Sequence, residues 1–226
     1  MIEKKSLVKT IKRALQTGGL NLVGQDLTEV PADLFRIEDM PLEDANWWEC
    51  VAITKMDFSN NDITRIPSNI TVFPDLLQVR FKNNKLQELP DTLPSLATLK
   101  LLDCCSNQIT ALPPNYAHFP ALVELDLAQN KLVQLPNLSQ ITTLEVLNLN
   151  DNRLRVLPLL GPNLKKLEAS NNSIGELRAD VFSQCGQLET LTLNKNSIER
   201  IERGTFAKTR SLVVVELKEN KLMEFS

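Results

Sequence analysis

Long apolar runs, histidine, aromatic residues and paired cysteines are all scarce in this 226-residue chain. No apolar run approaches the ~18–20 residues needed to span a bilayer, which excludes a membrane-spanning helix. The opening MIEKKSLVKTIKRALQTG is basic but has no continuous apolar segment and no small-residue cleavage site, so a secretory signal is not expected; a transit peptide stays open. Its Leu7, Ile11 and Leu15 recur on one helical face, and residues 1–18 read best as a cap helix. One histidine, His118, leaves no Ser-His-Asp or Cys-His arrangement with sequence support, and it reads as a surface or packing residue. Walker loops, GxGxxG and metal-spaced His/Cys clusters are absent. The expectation is a chain that is not an enzyme and holds no cofactor and no metal.

The cysteines are four, with Cys104 and Cys105 adjacent and Cys50 and Cys185 far from them. No C-x-x-C pair or flanking cysteine cluster occurs, which suggests a reducing compartment, cytoplasmic or nuclear. Sequons at Asn69-Ile-Thr, Asn137-Leu-Ser and Asn171-Asn-Ser then read as chance in an asparagine-rich chain. With aromatic residues at 5% against 42% hydrophobic overall, the core has to be aliphatic. The net charge of −3 hides a basic first twenty residues and an acidic remainder. An acidic body is a poor match for nucleic acid, which requires clustered positive charge.

What the chain has in abundance is one pattern. LVELDLAQNKLVQLP, residues 122–136, reads L-x-x-L-x-L-x-x-N-x-L followed by Leu-Pro. Aligned on asparagine, the pattern recurs at Asn61, Asn84, Asn107, Asn130, Asn152, Asn172, Asn196 and Asn220, at intervals of 23, 23, 23, 22, 20, 24 and 24. A degenerate earlier copy, LNLVGQDLTEVP, puts Gln25 in that column. Repetition in register at this period indicates a solenoid. The two leucines of LxLxxNxL alternate, so both point inward from one short strand. Asparagine both donates and accepts, and can satisfy backbone groups left unpaired where the chain turns. Pro67, Pro90, Pro113, Pro136 and Pro158 follow the next apolar residue, where no ladder donor is needed.

The expected fold is therefore an α/β repeat solenoid, a right-handed arc of about nine repeats over residues 19–226. A parallel sheet lines its concave face, with loops or short 3-10 turns on the convex face. An acidic insertion, Ala32 to Glu49, ends in Trp47-Trp48, which read as a seal for the interrupted stack ahead of an interaction anchor. The last two full repeats carry Phe182 and Phe206 in place of Leu-Pro turns, and no capping segment follows the final asparagine turn.

These residues resemble the leucine-rich repeat family, in particular the cytosolic 23-residue repeats of Ras-suppressor and Ras-pathway scaffold proteins. LNLVGQDLTEVP, the insertion ending in WWE and ITKMDFSNNDI are similar to the leucine-rich-repeat-containing protein 40 family over residues 20–63. The resemblance implies a horseshoe scaffold without enzymatic activity and with no well-defined partner.

The surface available for binding is the solvent side of the strands. Between the inward pairs run Asn21, Asp57, Arg80, Asp103, Asp126, Asn148, Glu168, Thr192 and Glu216, five of nine acidic. Glu124 adds a further charge, and Leu101, Val146, Val213 and Val214 face outward in this register. The functional reading is an acidic stripe that selects a protein with a basic segment, through Asp57, Arg80, Leu101, Asp103, Glu124, Asp126, Val146, Asn148, Glu168, Thr192 and Glu216. The competing explanation is that aspartate here merely keeps a strand soluble. Cys105 on this face is a second candidate, as a reactive thiol, and Cys104 in an inward position is core. Two other functions stay open: a self-assembling module using the uncapped C-terminal end, and an extracellular recognition domain.

Overall fold

The computed structural model describes residues 4–39 and 50–223. A helix, α1 (Lys4–Thr17), leads into eleven short strands: β1 (Gly19–Asn21), β2 (Lys55–Asp57), β3 (Gln78–Arg80), β4 (Leu101–Asp103), β5 (Glu124–Asp126), β6 (Val146–Asn148), β7 (Lys166–Glu168), β8 (Glu176–Leu177), β9 (Thr190–Thr192), β10 (Arg200–Ile201) and β11 (Val214–Glu216). Nine of them form one parallel sheet in the order β1-β2-β3-β4-β5-β6-β7-β9-β11, and β8 pairs with β10 in a second, two-stranded ladder. The molecule is thus a solenoid with its long parallel sheet on one side.

The middle residue of each strand and the residue two further on supply the core. Leu125 and Leu127 are buried, as are Met56 and Phe58, Val79 and Phe81, Leu102 and Cys104, Leu147 and Leu149, and Leu191 and Leu193. Phe58 and Phe81 stack in neighbouring turns with centroids 4.8 Å apart and planes 12° from parallel. One edge of the sheet is covered: Leu7, Ile11 and Ala14 of α1 are buried against β1, and Leu15 packs partly against the same core. At β11 the inward Val215 stands 43% exposed, although its register partner Leu191 is fully buried.

Asparagine stitches each turn to the one before it. The Asn130 side-chain oxygen accepts the Ile109 N–H at 2.9 Å, and its amide donates to the carbonyls of Cys104, Leu127 and Ala128 at 3.0–3.1 Å. The same set recurs at Asn84, with Ile63 N–H and the carbonyls of Phe58 and Phe81, and at Asn196, with Ile174 N–H and the carbonyls of Ala169 and Leu193. The amide and the carbonyl of each of these side chains are both directed at backbone the turn would otherwise strand. The degenerate first turn departs from this. Gln25 aligns with the column, yet its side chain is exposed and its amide reaches only the Val23 carbonyl. Asn61 of the next turn accepts the Leu27 N–H, as Asn84 accepts that of Ile63, and takes the Gln25 N–H in addition. The element before β1 is α1, so position 25 has no earlier strand turn to stitch.

Immediately before each asparagine the backbone is left-handed: Asn60, Asn83, Ser106, Gln129, Asp151, Asn171, Lys195 and Glu219 have φ between 54° and 58°. In the first turn Gly24 holds this place at φ 64°. Seven glycines in the whole chain are too few to provide it elsewhere, so L-residues accept the steric cost.

Proline explains the second ladder. Glu202 N–H donates to the Leu177 carbonyl at 2.9 Å, extending the β8–β10 pairing. Arg178 holds the equivalent place one repeat earlier, but before it the residue is proline, at Pro67, Pro90, Pro113, Pro136 and Pro158, with no N–H to give, and the ladder is found only between the last two full repeats. There Phe182 is buried and stacks on half-buried Phe206, centroids 5.9 Å apart. The shortest interval, Asn152 to Asn172, depends on Gly161: a Cβ there would lie 2.8 Å from the Ile141 carbonyl oxygen.

The expected insertion needs a correction at its start. Ala32–Asp39 is a 3-10 segment that buries Leu34, matching Ile70 in Ser68–Val72 and Leu93 in Leu93–Ser95. Those residues belong to the regular convex layer, and Phe35 meets Phe73 of the next turn at 6.1 Å. The extra chain lies later, and Trp47-Trp48 fall outside the described residues.

Lys195 offers a clean test of the left-handed column, because it is exposed and held there at φ 55°. Lys195→Val should cost about 1–2 kcal/mol in urea unfolding. Lys195→Gly should stay within about 0.5 kcal/mol of wild type, since relief of strain is offset by unfolded-chain entropy. Equal losses from both would contradict this reading.

Candidate functional site

Strand pairing places all nine residues of the central outward column in one row: Asn21, Asp57, Arg80, Asp103, Asp126, Asn148, Glu168, Thr192 and Glu216 are successive register partners. A parallel row beside it carries Gln78, Leu101, Glu124, Val146, Lys166, Thr190 and Val214. Every residue in the anticipated stripe therefore lies on the same sheet face. Glu124 is exposed and the other ten are half-buried. Val213 sits one position earlier and is 82% exposed.

The residues of the row do not all face the same chemistry. Asp57, Asp103 and Asp126 each accept the backbone N–H two residues ahead, from Ser59, Cys105 and Ala128, at 2.9–3.0 Å. Asn21 and Asn148 make the same turn to Val23 and Asn150. A short side chain with an oxygen at this distance closes an Asx turn where the strand ends. The aspartates thus have a structural task, for which a pairing of Asp or Asn two residues ahead of the turn is the sequence signal. Arg80, Glu168, Thr192 and Glu216 lack it: Arg80 donates to Gln78 at 3.1 Å, Lys166 pairs with Glu168 at 3.0 Å, and Asn194 donates to Glu216 at 2.6 Å. The Glu124 side chain makes no hydrogen bond or ion pair among the described residues, and Leu101 and Val146 flank it as half-exposed apolar neighbours.

Electrostatically the centre of the row is crowded. Burial raises the Asp126 carboxyl above the usual carboxylate range; the Ala128 N–H opposes this, the Asp103 charge adds to it, the Asn148 amide opposes it, and Glu124 adds to it. No basic side chain is among these influences.

The thiols are quiet. Cys105 is half-buried with its sulfur 3.3 Å from the Ser106 hydroxyl, and burial raises its pKa despite that hydrogen bond, so the reactive-thiol candidate is set aside. Cys104 is core, its thiol raised well above normal by burial, and burial pushes the Cys185 thiol up to about 12. His118 is exposed at the end of the 3-10 segment Pro114–His118. A groove of about 610 Å³ runs beside Pro67, Pro90 and Pro113, with Arg65, Glu88 and Asp91 at its rim. Among the described residues no group of three or more His, Cys, Asp or Glu could hold a metal ion, and no helix is long and apolar enough to cross a membrane.

Asp126 generates a signed prediction. Its folded-state pKa is raised, so the folded chain holds the proton more tightly than the unfolded chain. Ionised Asp126 costs stability above the folded value, and that cost disappears below the unfolded value. Asp126→Asn keeps the acceptor for Ala128 and removes the charge. It should gain on wild type as pH rises through the carboxylate range and show no gain at low pH, in urea unfolding at about pH 3 and pH 7. The same difference at both pH values would contradict this.

Comparison with known proteins follows the same lines. The family model described as Leucine rich repeat matches residues 162–222, and that described as Leucine Rich repeats (2 copies) matches residues 97–140. An 88-residue stretch is 34% identical to leucine-rich repeat-containing G-protein coupled receptor 5 of Rattus norvegicus, covering 38% of this chain and 10% of the receptor. Another of 85 residues is 32% identical to nephrocan of Mus musculus, covering 37% of this chain and 17% of nephrocan. The chain thus spans less than a fifth of the length of either relative. A leucine-rich repeat protein of Leptospira interrogans superposes with a TM-score of 0.79 at 24% identity, over 99% of this chain and 61% of that one, and shares its fold. Leucine-rich repeats are generally protein-interaction modules. The matched repeats, the relatives and the fold together support the leucine-rich repeat family for this chain.

Proposed function

We propose that the chain is a non-enzymatic scaffold whose concave sheet binds a protein partner with a basic segment, and that it binds no nucleic acid. The observation that carries this reading is the centre of the sheet face. Asp126, buried against its charge, lies between Asp103 and Asn148 in one row, with exposed Glu124 and half-exposed Leu101 and Val146 beside it. Like charges packed this closely repel one another, and a lysine or arginine from outside would relieve that repulsion while its stem covered the apolar pair. Arg80, Thr192 and Glu216 extend the same face and would set register more than affinity.

We place the chain in the cytoplasm or nucleus, as the likeness to Ras-pathway scaffolds suggests; Cys104, Cys105 and Cys185 are free thiols, in keeping with a reducing compartment. Asn69, Asn137 and Asn171 are exposed, so a glycan on any of them in protein from its own cells would favour an extracellular recognition role instead. A further alternative, self-association through the last repeat, draws on Val214 and Val215, which stand 39% and 43% exposed on β11. Light scattering that gave a monomer at every concentration would exclude it.

The decisive variant has to spare the Asx turns. Asp103→Asn/Asp126→Asn/Glu168→Gln retains the acceptor oxygen of each Asx turn and removes three charges, giving up only the Asn148 amide contact to the second Asp126 oxygen, whereas lysine at 103 and 126 would also undo the turn. The variant should melt no lower than wild type, in keeping with the gain expected from Asp126→Asn, and bind a lysine-rich peptide at least about tenfold more weakly at low salt. It should lose the partner that wild type captures from its own lysate. Undiminished peptide binding and capture would show that this row is not the site.

A further inference from the structure

We propose that the concave face of one copy receives α1 of a second copy, so that the chain associates with itself through charge. The inference rests on the reading of the concave sheet as a binding surface and names its occupant. The first observation is segregation of charge within one sequence. Residues 4–17 contain Lys4, Lys5, Lys9, Lys12 and Arg13 and no acidic residue, so the rest of the chain carries a net −8. A cationic helix and an acidic sheet face are therefore present at equal concentration in any solution of this protein.

The second observation is how α1 is held. Leu7, Ile11 and Ala14 are buried against β1, which fixes the helix at one edge of the sheet. What remains outward is its charged side: Lys5, Lys9 and Arg13 are exposed and Lys12 half-exposed, and none makes an ion pair among the described residues. Because its apolar side is occupied, the helix cannot roll onto β4–β7 of its own sheet. A second molecule has no such constraint.

The third observation is dimensional. A 14-residue helix is about 21 Å long, and the rise from Lys5 to Lys9 to Lys12 is about 6 Å and then about 4.5 Å. Strands lie ~4.8 Å apart, so Asp103, Asp126 and Glu168 on β4, β5 and β7 span about 14 Å. A helix laid across the strands can set Lys12 and Lys9 over Asp103 and Asp126, one strand apart, while the long Lys5 side chain reaches past the Asn148 row toward Glu168, with the lysine stems over Leu101 and Val146. The contact is head to body. One such contact leaves the face of one copy and the helix of the other free, so wild type extends into chains or closes into rings, a reciprocal pair being the smallest.

Sedimentation velocity of the full chain at about 0.05 M and about 0.5 M salt tests this, because an exposed charged contact weakens with screening. Wild type should form concentration-dependent oligomers at the lower salt and return to monomer at the higher. Lys5→Gln/Lys9→Gln/Lys12→Gln has no helix to offer, and Asp103→Asn/Asp126→Asn/Glu168→Gln has no face to offer; each alone should be monomeric, with its circular dichroism unchanged. Mixed in equal amounts at low salt, the two should form a 1:1 dimer and nothing larger. Oligomers that persist in both variants would put the contact elsewhere, at β11 for instance, and overturn the proposal. Monomeric wild type that still binds a lysine-rich peptide on this row would overturn it while leaving the concave binding surface standing. Monomeric wild type that binds no such peptide would remove both.

Discussion

The interaction on which the rest of the structure depends is the asparagine amide at each turn. Every strand here is only two or three residues long, too short for a ladder to hold by itself. The chain must leave the sheet abruptly after the second inward residue, and that exit exposes carbonyls of two consecutive turns to an apolar interior. Asn130 answers both at once, donating to Cys104 of the previous turn and Leu127 of its own while accepting from Ile109. Leaving such groups unmet would cost about 1–3 kcal/mol each. The left-handed residue before each asparagine is the geometric consequence, because the backbone has to reverse within one residue to bring the amide inward.

This constraint also decides which positions are free to evolve a binding role. The inward pair is committed to packing and the asparagine to the turn. Asp57, Asp103 and Asp126 are partly committed, since their carboxylates close the strand end through Ser59, Cys105 and Ala128. That makes acidity in the row partly a by-product of turn chemistry. What turn chemistry does not require is Glu124, Glu168 and Glu216, whose longer side chains make no such bond to the residue two ahead, or the apolar Leu101 and Val146. These residues are the stronger argument that the face is used.

Much of the fold was legible in the sequence because each column has one job. The L-x-L alternation gave the inward pairs, the asparagine spacing gave the stack, and Leu7 and Ile11 marked α1 as a helix with one buried side. The start of the insertion was misplaced because Leu34 follows Val30-Pro31 as Ile70 follows Ile66-Pro67, a likeness hidden by the surrounding acidic residues. Gln25 falls in the asparagine column by alignment alone, and with α1 in place of an earlier turn its side chain stays exposed. The candidate row was readable as a row, but the division of labour within it was not. The hydrogen bond from the Ala128 N–H to the Asp126 carboxylate depends on backbone geometry two residues on, and neither composition nor periodicity carries that.

The central claim is that a single asparagine satisfies the backbone of the preceding turn, and native-state hydrogen exchange of the Ile109 amide tests it most directly. In Asn130→Ala that N–H loses its acceptor, while Ile63 and Ile174 keep Asn84 and Asn196. The account predicts exchange at Ile109 faster by about tenfold or more, corresponding to ~1.4 kcal/mol or more of lost local protection, with Ile63 and Ile174 far less affected. Unchanged protection at Ile109, or an equal loss at all three amides, would contradict it.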